Sequence, residues 1–464
     1  MFAYVLLPIF LFNLITEINA DIPCPLCEEI IFFGAEHASV PPTFFLLYTR
    51  ENLYYPENIT FVNCSENSNY DPNKKTVILL DGYNGSPNSE HIIFLKQAYL
   101  KYEDCNVIVI DWSIASSALI FPTAIRNTLI IGKYIAEQFE IWKKTCKEIQ
   151  FEKFHVIGFS LGGQTVGFIG KYMKTGKIGR ITGLDIVGFC FASFSSKYKL
   201  HYTDAKFVDV ISVSSATQLI IEQPTGHVHF KPDGGKIGKG CAEDILNLNF
   251  DVLFRCTHMR TVYLFTSTFY SECLPVGYQC KDMKTFARGE CNKCGEDGKQ
   301  CAALGIQAEK YSNKIINGTI TMYLATTFTD NYCLYHYHVE VTLASKQNSS
   351  TEAGKLALII NNSTVNQVLN SDLYIQDATD IFNPNKTYGY LMITTHKIDP
   401  ITNLEFFWYT TRPKIDNKLY VKCIKIVPMN NLEMNRSKLT YYGTTNGKAI
   451  YPQETVPIYS KTSC

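Results

Sequence analysis

The chain lacks a net charge, and beyond its first 20 residues it lacks a long apolar run. Its 464 residues include 43 lysines and arginines against 43 aspartates and glutamates. This balance gives no electrostatic basis for binding nucleic acid or a strongly anionic surface. Residues 21–464 contain no stretch near the roughly 20 apolar residues that a membrane helix needs. The chain has no internal repeat, and we expect no nucleic-acid partner.

The first segment, MFAYVLLPIFLFNLITEINA, is apolar and ends in polar residues and the small Ala20. Such a segment is typical of a secretory signal, and we predict cleavage before Asp21. The 16 cysteines suit an oxidising compartment. Acceptor motifs for N-glycosylation occur at Asn58, Asn63, Asn84, Asn317, Asn348, Asn361, Asn362, Asn385 and Asn435. These features predict a secreted, extracellular glycoprotein.

Residues 75–215 alternate between short β-rich runs and helical runs. Apolar, β-branched runs typical of buried strands are TVILLDGY, NVIVIDW, FEKFHVIGF, GRITGLDIVG and AKFVDVISV. Apolar spacing predicts a helix between Phe121 and Phe139, and LGGQTVGFIGKYM predicts another. Strands that alternate with helices predict an α/β domain with a mostly parallel sheet.

Beyond about residue 310 the sequence becomes strand-like, as in INGTITMYLATT, YHYHVEVTLAS and KLYVKCIKIV, with polar turns rich in asparagine. This pattern predicts a separate all-β sandwich. We therefore predict a signal peptide at 1–20, an α/β domain at 21–312 and a β-sandwich at 313–464.

The pentapeptide GFSLG, residues 158–162, fits the pattern G-x-S-x-G between a predicted strand and a predicted helix. A sharp turn there requires small neighbours, which Gly158 and Gly162 provide. It would expose the hydroxyl of Ser160 above the sheet and aim the start of the helix, with the N–H of Leu161, at the reacting atoms. We predict that Ser160 is a nucleophile.

A serine nucleophile needs a base and an acid that orients the base. Asp185 ends the predicted strand RITGLD, at the edge where the sites of parallel sheets lie. His258 follows the apolar loop CAEDILNLNFDVLFRC and is our candidate base. The alternatives are Asp209, which lies within a strand and is expected to be solvated, and the histidines of GHVHF, whose alternation suggests packing or surface positions.

The stretches FHVIGFSLGGQTVGFIG, ITGLDIVGFCF, DAKFVDVI, GHVHFKPDGG and CTHMR occur in an order and spacing that resemble the pancreatic lipase family. CKDMKTFARGECNKC, followed by Cys301, is similar to a disulfide-rich segment of that family, and disulfides are a better interpretation of CNKC than zinc. The resemblance implies an α/β-hydrolase fold followed by a lipid-facing, PLAT-like β-sandwich. It implies the residue roles and pairs that follow: Ser160 as nucleophile, Asp185 as acid, His258 as base, the N–H groups of Tyr83 and Leu161 as oxyanion donors, and disulfides Cys241–Cys256, Cys280–Cys291 and Cys294–Cys301.

Two short loops favour one substrate class within that family. Triacylglycerol lipases carry a long lid between the paired cysteines and a long loop before the GHVHF-like strand, whereas secreted phospholipases A1 have both loops shortened. Here both are short, and the resemblance is to the phosphatidylserine-specific members or their phosphatidic acid-selective relatives. The YC before LYHYHVEVTL and the additional Cys273 favour the phosphatidylserine-specific members. It implies hydrolysis of the sn-1 ester of a phospholipid, without a cofactor, by peripheral contact with a membrane or lipoprotein surface. The alternatives are a triacylglycerol lipase and a catalytically weak lipid-binding protein; the oligomeric state stays open.

Several residues depart from the family pattern. Asp81 replaces the histidine that usually begins the oxyanion loop, and a carboxylate aimed at the oxyanion would oppose catalysis unless it points away. The neighbouring Asn84 acceptor lies at the expected cleft mouth, and we expect it to be unoccupied in an active enzyme. Around the nucleophile and acid, the replacements are Phe159, Gly163, Gln164 and Ile186. Lys199 and His201 stand where acidic calcium ligands are expected, so we predict no calcium or other metal.

The loop between Cys241 and Cys256 is interpreted as a lid whose ends are fixed by a disulfide beside His258. Its apolar residues alternate with Asn247, Asn249 and Asp251, which favours an extended segment. Leu246, Phe250 and Leu253 would also share one face of a helix. A buried connector is the alternative.

Overall fold

The computed structural model describes residues 28–60, 68–215, 219–236, 241, 250–314, 317–328, 332–347, 349–361, 365–369, 379–413, 416–433 and 436–464. The predicted signal peptide lies outside them. Contacts divide the chain into two compact units. The first comprises Met1–Lys231, Gly235–Tyr270 and Ile315–Ile320, and the second comprises Pro232–Gly234, Ser271–Lys314 and Thr321–Cys464.

The first unit contains a predominantly parallel sheet, which confirms the predicted α/β-hydrolase class. Its strands are β1 (Phe44–Tyr48), β2 (Glu57–Asn58), β3 (Thr76–Leu80), β4 (Asn106–Asp111), β5 (Phe154–Phe159), β6 (Arg180–Leu184), β7 (Phe207–Ile211) and β8 (Val228–Pro232). They lie in the order β8-β7-β6-β5-β3-β4-β1-β2, and β1 runs antiparallel to its neighbours. All residues of β3, β5, β6 and β7 are buried, as expected of parallel strands that are covered on both faces.

Helices connect these strands: α1 (Glu28–Phe32), α2 (Glu90–Tyr102), α3 (Ser113–Ser116), α4 (Phe121–Thr145), α5 (Leu161–Tyr172) and α6 (Phe250–Ser267). The predicted helix from Phe121 thus continues six residues beyond Phe139. Short 3₁₀ segments span Ala35–His37, Phe151–Lys153, Phe191–Ser193, Ser196–Tyr198 and Tyr202–Asp204. No helix in the described part of the chain is long and apolar enough to cross a membrane.

The expectation that Asp209 is solvated was wrong. Asp209 is 0% exposed, and its two carboxylate oxygens accept hydrogen bonds from Nε and Nη2 of Arg180, each at 2.8 Å. Thr182, its register partner on β6, donates a further bond at 2.8 Å. A carboxylate is retained inside a sheet only when it is paired in this way. Asp209 is therefore a structural residue of the core.

The second unit contains two antiparallel sheets, as predicted for a β-sandwich. Its segments are β9 (Val276–Gln279), α7 (Met283–Ala287), β10 (Cys301–Ala303), β11 (Ile320–Leu324), β12 (Tyr335–Leu343), β13 (Glu352–Ile360), β14 (Val365–Leu369), β15 (Asp380–Phe382), β16 (Thr387–Thr394), β17 (Leu404–Thr410), β18 (Leu419–Pro428), β19 (Tyr441–Thr444), β20 (Ala449–Ile450), β21 (Val456–Pro457) and β22 (Tyr459–Lys461). One sheet has the order β16-β12-β18-β19-β22 with β20 beside β18, and the other has β14-β13-β17-β21 with β15 beside β13. Strand β9 pairs antiparallel with β10 and β11 outside these two sheets. Buried Tyr337, Leu358 and Trp408 belong to their shared core.

Disulfides stabilise both units. Among the residues that the structure describes, disulfides join the three pairs that the family resemblance implied, Cys241–Cys256, Cys280–Cys291 and Cys294–Cys301, and also join Cys273 to Cys333 and Cys423 to Cys464. Cys105 is a buried free thiol. Burial raises its pKa to about 12, so it stays protonated and unreactive.

Candidate active site

Ser160 occupies a strained turn between β5 and α5. Its φ of 56° and ψ of −122° lie outside the regions that residues with a side chain normally adopt. A Cβ on Gly158 would lie 2.3 Å from the carbonyl oxygen of Gly162, and one on Gly162 would lie 2.4 Å from the carbonyl oxygen of Asp81. The turn therefore requires both glycines of the G-x-S-x-G pattern.

Backbone hydrogen bonds tie this turn to the chain that follows β6. The Ser160 N–H donates to the carbonyl oxygen of Leu184 at 2.9 Å, and the Val187 N–H donates to the carbonyl oxygen of Ser160 at 3.2 Å. Leu161 is the first residue of α5, so its N–H has no acceptor inside the helix and lies at the positive end of the helix dipole.

Asp185 is held in one orientation directly after β6. It is 0% exposed and has a φ of 45°. Its Oδ1 accepts hydrogen bonds from the N–H groups of Val213, at 2.9 Å, and Ser214, at 3.2 Å. Its Oδ2 accepts a hydrogen bond from the Ser214 hydroxyl. These donors satisfy the acceptor oxygens of a buried carboxylate.

His258 meets Asp185 from helix α6. Its Nδ1 lies 2.6 Å from Oδ2 of Asp185, so the proton on Nδ1 is donated to the carboxylate. The imidazole also contacts two phenyl rings, Phe159 at 4.3 Å and Phe254 at 5.0 Å between ring centroids. This arrangement leaves Nε2 as the basic nitrogen.

The structure thus joins the predicted base and acid directly, with the predicted nucleophile on the adjoining turn. Among the described residues Ser160 and His258 form no hydrogen bond, although Ser160 directly follows the Phe159 ring that contacts the imidazole. Such bonds are often long in unliganded enzymes and shorten when substrate binds.

The loop that follows β3, where the oxyanion donor Tyr83 was predicted, lies against Ser160. A Cβ on Gly82 would lie 2.6 Å from the Cβ of Ser160, which places the loop backbone in contact with the nucleophile. Asp81 is buried, and its carboxylate accepts a 2.7 Å hydrogen bond from the Gly82 N–H. The next N–H, that of Tyr83, has no acceptor within the described chain. The Asp81 carboxylate is therefore hydrogen-bonded within its own loop.

The other departures near the turn are accommodated by packing and hydrogen bonds. Gln164 is 0% exposed; its amide nitrogen donates to the carbonyl oxygen of Val187 at 2.7 Å, and its oxygen accepts from the Leu200 N–H at 2.9 Å. Ile186 packs against Gly163: a Cβ on Gly163 would lie 2.1 Å from Cγ2 of Ile186. Both replacements therefore support the loop that carries Asp185.

The residues at the expected calcium position do not fit a divalent cation. Both carboxylate oxygens of Asp204 are occupied by the ammonium of Lys171, each at 2.6 Å. The nearby Lys199 and His201 supply a positive charge and a nitrogen where calcium would require oxygen ligands. The described residues contain no other cluster of metal-binding side chains.

The histidines of GHVHF are packing residues, as predicted. Nε2 of His229 lies 2.8 Å from the hydroxyl of Ser212, and Nδ1 of His227 accepts a hydrogen bond from the Val208 N–H at 3.0 Å. Burial lowers the pKa of His229 to about 3 and that of His227 to about 4. Both are therefore neutral near pH 7 and neither contacts the Asp185–His258 pair.

The predicted lid is described only at its ends. Residues 242–249 lie outside the described residues, whereas Phe250 begins α6 and Cys256 is part of it. The expectation of an extended segment was therefore wrong for residues 250–256. The reason is visible in the site: Phe254 and His258 are four residues apart, and their rings stack along one face of the helix.

Known proteins resemble this chain over most of its length. A family model described as "Lipase" matches residues 22–332. The chain belongs to the pancreatic lipase family. It is 31% identical over 408 residues to Lipase member H of Xenopus tropicalis, covering 86% of this chain and 85% of that protein. It is 30% identical over 327 residues to pancreatic lipase-related protein 2 of Rattus norvegicus, covering 66% and 68%.

Among solved structures, MGS-M1, an α/β hydrolase from a Medee basin deep-sea metagenome library, aligns with 47% of this chain and 93% of its own. The identity is 14% and the TM-score is 0.22. Membership of the lipase family supports a carboxylic ester hydrolase, and the multiple disulfides fit an extracellular protein.

Proposed function

We propose that this protein is a secreted serine esterase that hydrolyses the sn-1 acyl ester of phospholipids. The observation that carries the catalytic part is the 2.6 Å bond between Asp185 and His258 beside the strained turn of Ser160. A structural histidine would need neither a buried carboxylate partner nor a serine held at positive φ next to it.

The proposed reaction uses each of these groups once per step. His258 Nε2 takes the proton of the Ser160 hydroxyl, and the serine oxygen attacks the acyl carbonyl carbon. The N–H groups of Tyr83 and Leu161 stabilise the negative charge that develops on the carbonyl oxygen. The protonated imidazole, oriented by Asp185, then gives its proton to the leaving lysophospholipid oxygen. Water attacks the acyl-enzyme in the same way and releases the fatty acid.

The short lid favours a phospholipid over a triacylglycerol. Cys241 and Cys256 are 15 positions apart, which leaves fourteen residues between them. Because the disulfide fixes both ends, a segment of this length covers little of the cleft. A charged head group then has room at the rim, whereas three acyl chains would need more apolar wall and a larger cover.

An apolar ridge beside the oxyanion loop supports contact with a lipid surface. We define this ridge as Ile114, Leu119 and Ile120, which are 60%, 76% and 64% exposed. Residues 112–125 carry no charge. The ridge adjoins the cleft because the Tyr83 hydroxyl donates to the carbonyl oxygen of Ala118 at 3.2 Å. Solvent-exposed aliphatic side chains at this position are suited to contact with a lipid surface.

A positional assay tests the proposal. Wild-type protein and Ser160→Ala are supplied with phosphatidylserine, phosphatidic acid and triolein, the phospholipids carrying different acyl chains at sn-1 and sn-2. We expect sn-1 fatty acid from phospholipid with wild type and none with Ser160→Ala. Preferential release of fatty acid from triolein would show that the substrate is a triacylglycerol and not a phospholipid. Release of the sn-2 fatty acid first would contradict the sn-1 assignment. Lipid binding without any release would indicate a non-catalytic lipid-binding protein.

A further inference from the structure

Asp81 accepts four hydrogen bonds, all within ten residues of the chain. One oxygen accepts from the Gly82 N–H and from Nε2 of His91, both at 2.7 Å. The other accepts from the Ser86 N–H at 3.1 Å and from the Ser89 hydroxyl at 2.5 Å. Burial by itself raises the pKa of Asp81, but the hydrogen bonds from His91, Ser89 and Gly82 outweigh it, and the pKa lies below its usual range.

The oxyanion loop is folded around this carboxylate. A Cβ on Gly85 would lie 2.3 Å from the carboxylate carbon, so only a glycine allows the chain to turn so closely. The backbone of Asp81 is fixed as well, since its carbonyl oxygen accepts from the indole N–H of Trp112 at 3.1 Å and lies under Gly162 of the nucleophile turn.

A chain of side-chain contacts connects the Asp81 carboxylate to the proposed base, His258. His91, which is 8% exposed on helix α2, packs edge-on against Phe159 at 5.0 Å between ring centroids. Phe159 in turn contacts His258 at 4.3 Å. The buried carboxylate of Asp81 thus bonds within the loop that carries Tyr83 and also orients His91 against the Phe159 ring that contacts His258.

We infer that Asp81 is a positioning residue: its carboxylate fixes the turn of residues 82–86 so that the Tyr83 N–H faces the carbonyl oxygen attacked by Ser160. The inference rests on the proposed esterase function. It assigns an aligning role to the residue that, from its charge alone, looked harmful to the reaction. Ser89 and His91 are the side chains that keep this charge turned away from the oxyanion.

The test compares Asp81 variants on a soluble short-chain ester, so that lipid binding plays no part. Asp81→Ala removes all four bonds, whereas the amide of Asp81→Asn still accepts from one pair of donors. We expect kcat per titrated active site to fall about 100-fold in Asp81→Ala and about 10-fold in Asp81→Asn, with KM changed less than threefold. The affinity for an alkylboronic acid, which mimics the tetrahedral intermediate, should fall by the same factor as kcat.

Glu140 on α4 provides a matched control. It is 7% exposed and accepts bonds from the N–H groups of Lys174, at 2.7 Å, and Thr175, at 3.0 Å, and from the Thr175 hydroxyl at 2.7 Å. Glu140→Gln should therefore lower the melting temperature as the Asp81 variants do, yet leave kcat within twofold.

The outcomes separate this inference from the proposed function. Wild type without activity on any ester would overturn the esterase function itself. An active wild type whose folded Asp81→Asn variant keeps full kcat and boronate affinity would overturn the role of Asp81 alone. Where Asp81→Ala does not fold, Asp81→Asn and Ser89→Ala, which removes one donor, still decide the question.

Discussion

Lys171 places its ammonium 2.6 Å from each carboxylate oxygen of Asp204. Asp204 is 4% exposed and also accepts the His201 N–H at 2.8 Å. Burial raises the pKa of Asp204 to about 6, although the nearby ammonium opposes the rise, and burial lowers the pKa of Lys171. The pair is therefore a largely buried cation and anion that neutralise each other.

Removing the cation alone should destabilise the first unit. Lys171→Met keeps most of the side-chain volume but leaves the buried carboxylate without its partner, and we expect the free energy of unfolding to fall by about 3–5 kcal/mol. The double variant Lys171→Met/Asp204→Asn should recover most of that loss, because the asparagine oxygen still accepts the His201 N–H without a charge. Urea unfolding of wild type, Lys171→Met, Asp204→Asn and the double variant measures both effects. Losses that simply add in the double variant would contradict the pairing.

Calcium should have no effect on the wild type. The Lys171 ammonium already neutralises Asp204, so neither millimolar calcium nor a chelator should shift the melting temperature or the rate of ester hydrolysis. Thermal unfolding with each addition measures this. A calcium-dependent rise in the melting temperature of wild type would contradict this prediction and show that the site accepts the metal. Lys171→Ala, which frees the carboxylate of Asp204, is the comparison variant.

Replacing the acid should remove activity without unfolding the protein. In Asp185→Asn the side-chain oxygen can still accept from the N–H groups of Val213 and Ser214, but the amide cannot hold the proton of His258 on Nδ1. We expect kcat to fall about 10⁴-fold, as for the loss of the acid in other serine hydrolases. Rates per correctly folded molecule, with circular dichroism as the check on folding, test this. A loss below tenfold would assign the orienting role to another residue.

The sheet and the nucleophile turn were predictable because their signals are local. Continuous apolar strands identify a covered parallel sheet, and the glycines on either side of Ser160 are required by contacts within the turn itself. Asp185 was predictable because a carboxylate at the end of a parallel strand lies at the edge where the nucleophile also lies.

What the sequence did not reveal depends on partners that are distant along the chain. The burial of Asp209 depends on Arg180, 29 positions earlier, and the orientation of Asp185 depends on the hydroxyl of Ser214, 29 positions later. No local pattern marks either pair. The helix at residues 250–256 had a signal, the four-residue spacing of Phe254 and His258, but the alternation of polar residues before it outweighed that signal.

The apolar ridge should contribute to binding of lipid surfaces and not to the hydrolysis of soluble esters. Leu119→Ser/Ile120→Ser removes aliphatic surface worth about 1.5–3 kcal/mol per buried side chain, so we expect binding to phospholipid vesicles to weaken at least tenfold. The rate on a soluble short-chain ester should stay unchanged. Vesicle sedimentation and ester assays measure the two quantities.

Tyr55→Ser provides the control for the ridge. Tyr55 is 85% exposed and follows β1, whose last residue, Tyr48, pairs with Val107 at the start of β4. It therefore lies toward the edge of the sheet opposite to the nucleophile. An equal loss of vesicle binding in Tyr55→Ser, or a loss of soluble-ester activity in the ridge variant, would contradict a specific lipid contact.

Acid should destabilise the second unit through its buried histidines. Burial lowers the pKa of His336 to about 4, and its Nε2 accepts the Ala325 N–H at 3.1 Å, a bond that a protonated ring cannot accept. Because the folded-state pKa lies below the unfolded value of about 6.5, the stabilising contribution is complete above pH 6.5 and is lost as the pH falls toward 4. His336 alone accounts for about 3 kcal/mol at that limit, and burial likewise lowers the pKa of His338 to about 4.

Urea unfolding between pH 7.5 and pH 4.5 measures this decline, followed by the fluorescence of Trp408 in the core of the second unit. His336→Gln is the matched variant, since its side-chain oxygen can accept the same Ala325 N–H and cannot be protonated in this range. We expect it to be less stable than wild type at neutral pH and to lose less stability on acidification. In wild type, His336 takes up a proton on unfolding in this pH range, and in His336→Gln it cannot, so the free energy of unfolding of the variant should depend less on pH. A variant whose stability falls as steeply as that of wild type would assign the acid sensitivity to other groups.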